Sequence, residues 1–334
     1  MKFSYGFSDF YLLKTENYFY VDRTSHISLI EEAGLQLLFL RPRRFGKSLL
    51  LSMLENYYDV AKADEFEKLF GDLAIGQNPT PKHNQYLIMK WDFSVVEPQD
   101  DVKEMRKSLH DHLNNRIKRF AKSYQDYLPY PIEIDENNAI SSFESTLTAV
   151  QATAYRLYLL IDEYDNFANE VMMGRGEISP NRYKALLSTE GSLKAVFKTI
   201  KSASSGDGLE RVFITGVSPV LMSDITSAYN VAKNIYLRRE FNDLCGFRES
   251  EIRSVLTTIV EECQLSPQNG QDALTLMQQF YDGYSFCESC ESDIYNPTLA
   301  LYFWEYFQND CQFPRLMLDN NMAMDRGKLT YISR

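Results

Sequence analysis

The chain has 334 residues, 44% of them hydrophobic, enough for a large core; a disordered chain or a disulfide-stapled mini-protein is excluded. Its 46 acidic against 35 basic side chains leave a net charge of -11, which argues against wrapping nucleic acid over the whole surface and leaves only a local basic groove open. Five cysteines, an odd count, and an N-terminus (Met1–Tyr20) without an apolar h-region read as reduced thiols in a soluble, cytoplasmic protein with no membrane span.

Taken in chain order, Leu35–Leu40 has the length of a strand running into a loop, and Ser48–Tyr58 reads as a buried helix. Gly76–Pro81 punctuates the chain before a strand at Tyr86–Met89, which ends at Trp91-Asp92-Phe93. A long charged helix is expected over Val102–Ser123. Asp135–Asn138 reads as a loop, Ser142–Ala154 as a helix feeding the strand Leu157–Ile161. A loop at Gly174–Pro180 and a helix over Pro180–Ala203 follow. Another loop, Ser202–Gly208, leads to the strand Arg211–Val217, and Asn234–Leu237 is a short last strand. Strands alternating with helices predict crossover connections and a mostly parallel sheet covered on both faces. Beyond Phe241 the strand signals stop. Ser250–Cys263, Gln271–Tyr281 and Pro297–Phe307 read as helices, with Ser266–Gly270 as a loop. The expected division is therefore an α/β domain over 1–240 and a helical region over 241–334.

Chemistry concentrates in three strings. Arg41–Leu51 (RPRRFGKSLLL) follows a strand and opens a helix, the context of a phosphate-binding P-loop. Amides at a helix N-terminus bind phosphate oxygens, Lys47 reaches the β- and γ-phosphates, the Ser48 hydroxyl serves Mg²⁺, and Gly46 lets the backbone approach. Arg41 occupies the position of the first glycine of the general G-x-x-x-x-G-K-[ST] pattern. The second string, Leu157–Ile161 running into Asp162-Glu163, has the Walker B arrangement: Asp162 for Mg²⁺ and Glu163 for the attacking water. Asp165 reads as a helix cap. The third is Thr215-Gly216-Val217-Ser218 at a strand end, where Thr215 or Ser218 could sense the γ-phosphate; turn residues are equally expected there.

Together these stretches resemble the bacterial AAA-ATPase-like family, a branch of P-loop ATPases near the archaeal and STAND-type ATPases. The resemblance is carried by Phe19–Thr24, Phe39–Ser48, Leu160–Asp165, Phe213–Val217, Leu244–Phe247, Tyr281–Tyr284 and Tyr295–Pro297, and the Arg41 departure is itself what the family looks like. It implies a P-loop NTPase three-layer sandwich with an additional-strand order, Arg211–Val217 lying between the P-loop and Walker B strands, plus a C-terminal helical lid. It implies ATP and Mg²⁺ as cofactors, with Arg43, Arg44, Phe45, Gly46, Lys47, Ser48, Leu49 and Thr215 at the nucleotide, Ser48 and Asp162 at the metal, and Glu163 and Lys47 in catalysis. It also implies Tyr20, Asp22 or Thr24 near the adenine. Relatives often continue into a restriction-endonuclease-like domain; this chain ends at Tyr331–Arg334, about where that domain would begin.

The expected activity is Mg²⁺-dependent ATP hydrolysis driving a switch, with Gly174–Pro180 and the region beyond Phe241 as moving parts and an unknown protein partner or self-association. The alternatives are an ATP-binding interaction module without useful turnover, and the regulatory half of a nuclease. Arg238, Arg239 and Arg248 stand as unranked arginine-finger candidates. Cys287-x-x-Cys290 lacks a second pair of ligands for zinc, His110 and His112 read as solvated, and the basic helix from Lys103 to Lys122 reads as a solvated face. The aromatic helix Leu299–Phe307 reads as lid packing.

Overall fold

The computed structural model describes residues 1–97, 101–173, 183, 192–225, 229–288, 290 and 293–318. The chain divides into two compact units: Thr24–Arg43 with Leu51–Tyr236, and Met1–Arg23 with Arg44–Leu50 and Leu237–Arg334.

The first unit is built on five parallel strands: β1 (Gln36–Leu40), β2 (Tyr86–Asp92), β3 (Arg156–Asp162), β4 (Leu209–Gly216) and β5 (Lys233–Asn234), in the order β2-β3-β4-β1-β5. β4 thus lies between β1 and β3, with Leu40 opposite Gly216 and Ile161 opposite Ile214. All of β1 but Gln36, and all of β3 but Arg156, is buried, and such unbroken apolar strands need helices on both faces, which parallel crossovers supply. β2 runs to Asp92, within the expected ending at Trp91-Asp92-Phe93. Lys90, the polar interruption, reaches Glu55 (3.4 Å), and Trp91 returns to the core at 1% exposure. The helix Val102–Ser123 buries Met105, Leu109, Leu113, Ile117 and Phe120 as one stripe and exposes Lys103, Arg106, Lys107, Lys118, Arg119 and Lys122.

The reading of solvated histidines is overturned. His110 is 3% exposed, and its Nδ1 accepts the Ala139 N–H at 2.9 Å, tying this helix to the start of Ala139–Gln151. His112 is half-buried; burial first, and Arg116 next, push its pKa down to about 4. Within the expected helix over 180–203, Ser192–Ala203 is helical; Gly174–Pro180 and the start of that helix lie outside the described residues, Tyr183 apart.

The second unit packs the helices Glu249–Glu262, Pro267–Tyr281 and Pro297–Asp310 around Ile252, Leu256, Met277, Phe303, Trp304 and Phe307. The aromatic N-terminus belongs to this core: the Trp304 ring lies 5.7 Å from Phe3, 5.6 Å from Phe19 and 5.0 Å from Phe247. Arg23 locks the segment in place. Its Nε donates to the Asp243 carbonyl (2.7 Å), and its two terminal nitrogens donate to Glu251 (2.6 and 2.7 Å). Ser266–Gly270 is no loop. Ser266 is the N-cap, Pro267 occupies the first helical turn, and the Ser266 amide and hydroxyl both donate to Asn269 Oδ1. A Ser-Pro pair followed by Asn and Gly opens a helix as readily as it marks a loop.

The expectation of reduced thiols is also overturned: Cys263 is bonded to Cys311 and Cys287 to Cys290, while Cys245 is buried and in neither disulfide. The first and last of the three helices bring the Cα atoms of Cys263 and Cys311 to 5.6 Å, within bridging range.

Candidate functional site

β1 leads into the loop that precedes the helix Lys47–Tyr58. Arg41, at the departing end of the strand, is not a phosphate-facing residue. It is 1% exposed, and its Nη1 donates to the carbonyls of Leu40 (2.8 Å) and Tyr236 (2.9 Å), with the guanidinium 4.3 Å from the centre of the Phe39 ring. The Arg41 amide donates to the Gly216 carbonyl (3.1 Å), so the loop leaves the sheet at the end of β4. The usual first glycine is thus replaced by a buried bracket between two segments. Arg43 Nη2 donates to Asn166 Oδ1 (2.9 Å), at the start of the helix that follows β3.

From Arg44 onward the loop belongs to the second unit. Arg44 and Gly46 take positive φ (60° and 91°) before the helix starts, and the Leu50 amide donates to the Gly46 carbonyl (3.0 Å) in the first turn. Lys47 is only 4% exposed; Ser48 and Leu49 are half-buried. Phe45 is fully buried. Its ring meets Tyr284 at 5.0 Å and Phe286 at 5.2 Å, both edge-on, and a Cβ at Gly246 would come within 2.8 Å of it. The Arg44 carbonyl accepts from the Thr298 hydroxyl (2.6 Å), beside Asn296, which caps the helix Pro297–Asp310. Three distant strings, Leu244–Phe247, Tyr281–Tyr284 and Tyr295–Pro297, therefore meet at the loop before Lys47: the first two supply Gly246 and Tyr284, and the third adjoins Thr298.

At the end of β3, in the first unit, Asp162 is 4% exposed. Its Oδ1 accepts from the hydroxyl of fully buried Thr215 (2.5 Å) and from the Glu163 amide (3.1 Å). Glu163 itself has φ 47°, a left-handed conformation that costs an L-residue about 1–2 kcal/mol and swings it out of strand alternation. Asp165 does more than cap a helix: its carboxylate accepts from the amides of Val217 (3.1 Å) and Ser218 (2.8 Å). The Tyr164 hydroxyl donates to the Ser218 carbonyl (2.6 Å), and burial pushes that phenol well above its ordinary range. The turn after β3 and the turn after β4 are thereby sewn together. A Cβ at Gly216 would sit 2.5 Å from the Tyr164 ring, so only glycine fits. On the other side, Asp92 lies in register with Asp162 and is taken up by the amide (2.9 Å) and hydroxyl (2.6 Å) of Ser94.

A family profile described as "Predicted AAA-ATPase" matches residues 4–226. The chain belongs to the AAA-ATPase-like family. A curated relative, an uncharacterized protein encoded in the vnfD 5' region of Azotobacter chroococcum mcd 1, is 24% identical over 286 residues, 84% of this chain and 47% of that protein. The chain thus spans about half the length of the curated relative it matches. Membership supports ATP binding and ATPase activity in general. No helix among the described residues is long and apolar enough to cross a membrane.

The remaining sequence candidates divide in the same way. Thr24 is buried and accepts the Ile75 amide (3.1 Å), while Tyr20 packs its ring 5.5 Å from Phe10. Arg248 pairs with Asp243 and Arg238 with Glu240 (3.8 Å). The sequence did not single out Arg23 or Tyr164, and gave Asp165 only a capping role; its place two residues after the strand-end Asp-Glu was the one signal available for it.

Proposed function

We propose that this AAA-ATPase-like chain is an Mg²⁺-dependent ATPase that acts as a nucleotide-driven switch on a partner or on a further part of a longer protein. The observation that carries the reading is the held Asp162 carboxylate at the end of β3, beside the strand β4 that separates it from the P-loop strand β1. In this reading the Gly46 and Lys47 amides and the Lys47 ammonium bind phosphate, and Arg43, Arg44, Phe45 and Leu49 shape the loop. Ser48 and Asp162 hold Mg²⁺, with the Thr215 hydroxyl and the Glu163 amide aiming the Asp162 carboxylate. Magnesium supplies charge neutralisation at the phosphates. A cation held this way would take one carboxylate and one hydroxyl from the chain and complete its shell with phosphate and water. Glu163, turned out of the strand by its left-handed backbone, would orient and polarise the attacking water.

The test is ATP hydrolysis with and without Mg²⁺, beside calorimetric ATP titration of Lys47→Ala. Loss of ATP affinity in the variant, with Tm lowered by the packing that a 4%-exposed side chain contributes, supports the reading. Unchanged ATP affinity removes the P-loop assignment. Tight ATP binding by the wild type with no turnover would favour the interaction-module alternative.

A further inference from the structure

The helix Val102–Ser123 carries a buried donor that the chain itself leaves unsatisfied. His110 is 3% exposed, and its Nδ1 lies 2.9 Å from the Ala139 amide nitrogen. A backbone N–H only donates, so Nδ1 presents its lone pair there. Burial first, and the Arg106 charge next, push the His110 pKa below the ordinary histidine range, with Asp111 and Asp135 opposing them. The ring is therefore neutral at pH 7, and its one proton sits on Nε2. Arg106 Nε lies 3.5 Å from that same Nε2. A guanidinium Nε–H also only donates, so two N–H groups face each other and neither satisfies its partner. Both are satisfied by one acceptor placed beside them.

The two side chains line a cleft of about 170 Å³, together with Lys103 and Lys107. Lys103, Arg106, Lys107 and His110 have the i, i+3, i+4, i+7 spacing of a single helix face. Among the described residues none of the three cations forms an ion pair. Glu104, Asp111, Glu136 and Asn137 complete the lining, and Glu136 is held by Lys118 (2.7 Å). These carboxylates narrow the choice of ligand. A long polyanion laid along the helix would run over Glu104, Asp111 and Glu136 and be repelled. A compact anion seated at Arg106 and His110 meets three cations and a neutral donor. The cleft is smaller than the roughly 300 Å³ at which pockets for whole small molecules begin, so it suits a headgroup or a free ion, not a nucleotide.

We propose that Arg106 and His110, with Lys103 and Lys107, form a binding site for a tetrahedral oxyanion, namely phosphate as the free ion or as a monoester. A phosphate oxygen accepts from His110 Nε2 and Arg106 Nε, and the two ammonium groups neutralise the remaining charge. Three cations favour a dianion over a carboxylate. No residue of the Arg41–Leu51 loop or of the Asp162 corner takes part, so the site does not rest on the ATP reading.

The experiment titrates inorganic phosphate into the full chain at constant ionic strength, followed by calorimetry and by ¹⁵N spectra of the histidine rings. The same titration on Lys47→Ala removes the phosphate loop as a rival site. The expected results are a His110 protonated on Nε2, a shift of that nitrogen as phosphate is added, and phosphate binding that persists in Lys47→Ala. Arg106→Gln, at an exposed position, should keep the fold and weaken binding roughly ten- to hundredfold, the range of a charge-assisted hydrogen bond. Lys107→Gln should weaken it roughly two- to fivefold, as loss of an exposed charge does. Sulfate should compete and acetate should not. Equal affinity for glycerol phosphate identifies an ester as the source, whereas binding confined to inorganic phosphate identifies the free ion. Arg106→Gln binding phosphate as tightly as the wild type would overturn the proposal. So would a His110 proton on Nδ1, loss of all phosphate binding in Lys47→Ala, or displacement of phosphate by equimolar acetate. An oligonucleotide that binds this face and is not displaced by phosphate would overturn it in favour of a nucleic-acid surface.

Discussion

The corner where β3 and β4 end is held by directional hydrogen bonds, whereas the loop at Phe45 is held by ring packing. In the first region Thr215, the Glu163 amide, Asp165 and Tyr164 each satisfy a specific partner across two turns. In the second, Tyr284, Phe286 and Gly246 surround a phenyl ring that donates and accepts nothing. Directional bonds fix the aim of a carboxylate to within a few tenths of an ångström and fail when one atom changes. Packing fixes a position by volume and tolerates changes that keep volume. The difference matches what each region must do in the proposed reaction: aim a charge in one, and hold a loop around a ligand in the other.

The largest expected effect separates chemistry from scaffolding at the polar corner. Glu163→Gln keeps volume and removes charge, so ATP binding should persist while single-turnover hydrolysis falls by roughly 10²–10⁴-fold, about 3–5 kcal/mol of barrier. Equal hydrolysis rates in the two proteins would show that Glu163 is not the catalytic carboxylate.

Next is the packed region. Phe45→Ala should cost about 3–5 kcal/mol in denaturant-monitored stability, the range for a buried phenyl, while Phe45→Leu should cost under half as much. If both cost the same, packing volume is not what holds the loop. At the polar corner the ordering should invert between a change of shape and a change of atom. Thr215→Val is nearly isosteric and yet should lose about 1–3 kcal/mol, because buried Asp162 loses a donor, and Thr215→Ser should recover most of that. A Val variant as stable as wild type would place Asp162's support elsewhere.

The smallest effect is one of pH. His112 titrates near 4 in the folded chain against 6.5 for an unperturbed histidine, because burial disfavours its cation. The unfolded chain therefore binds the additional proton, and this contribution to stability is full above pH 6.5 and lost as pH falls toward 4. His112→Gln should flatten that loss by about 1–2 kcal/mol, discounted for the part of the ring that water reaches. Urea titrations of both proteins at pH 7 and 5 measure it, and parallel slopes would remove the assignment.

Much of the architecture was legible without coordinates. The runs Leu37–Leu40 and Leu157–Ile161 are apolar without alternation, and Arg211–Val217 nearly so, the pattern of a strand covered on both faces. The Gly-Lys-Ser at a strand-to-helix turn and the strand-end Asp-Glu are local signals, each contained in a dozen residues. Strand order came through the family resemblance and agrees with β4 lying between β1 and β3.

What tertiary structure alone decided lies in contacts between residues far apart in the chain. Arg41 is a buried bracket because Tyr236 comes to its guanidinium from 195 residues away. Asp165 ties down Ser218, 53 residues on, and the ring of Phe45 is closed by Tyr284 and Phe286. The cysteines pair and the histidines are buried for the same reason: a half-polar segment carries no mark of which neighbour will cover it. Periodicity and spacing report the covalent neighbourhood of a residue, where the backbone enforces geometry. Which distant group satisfies a buried donor, charge or thiol is set by how the helices pack, and that information is shared among residues no single stretch contains.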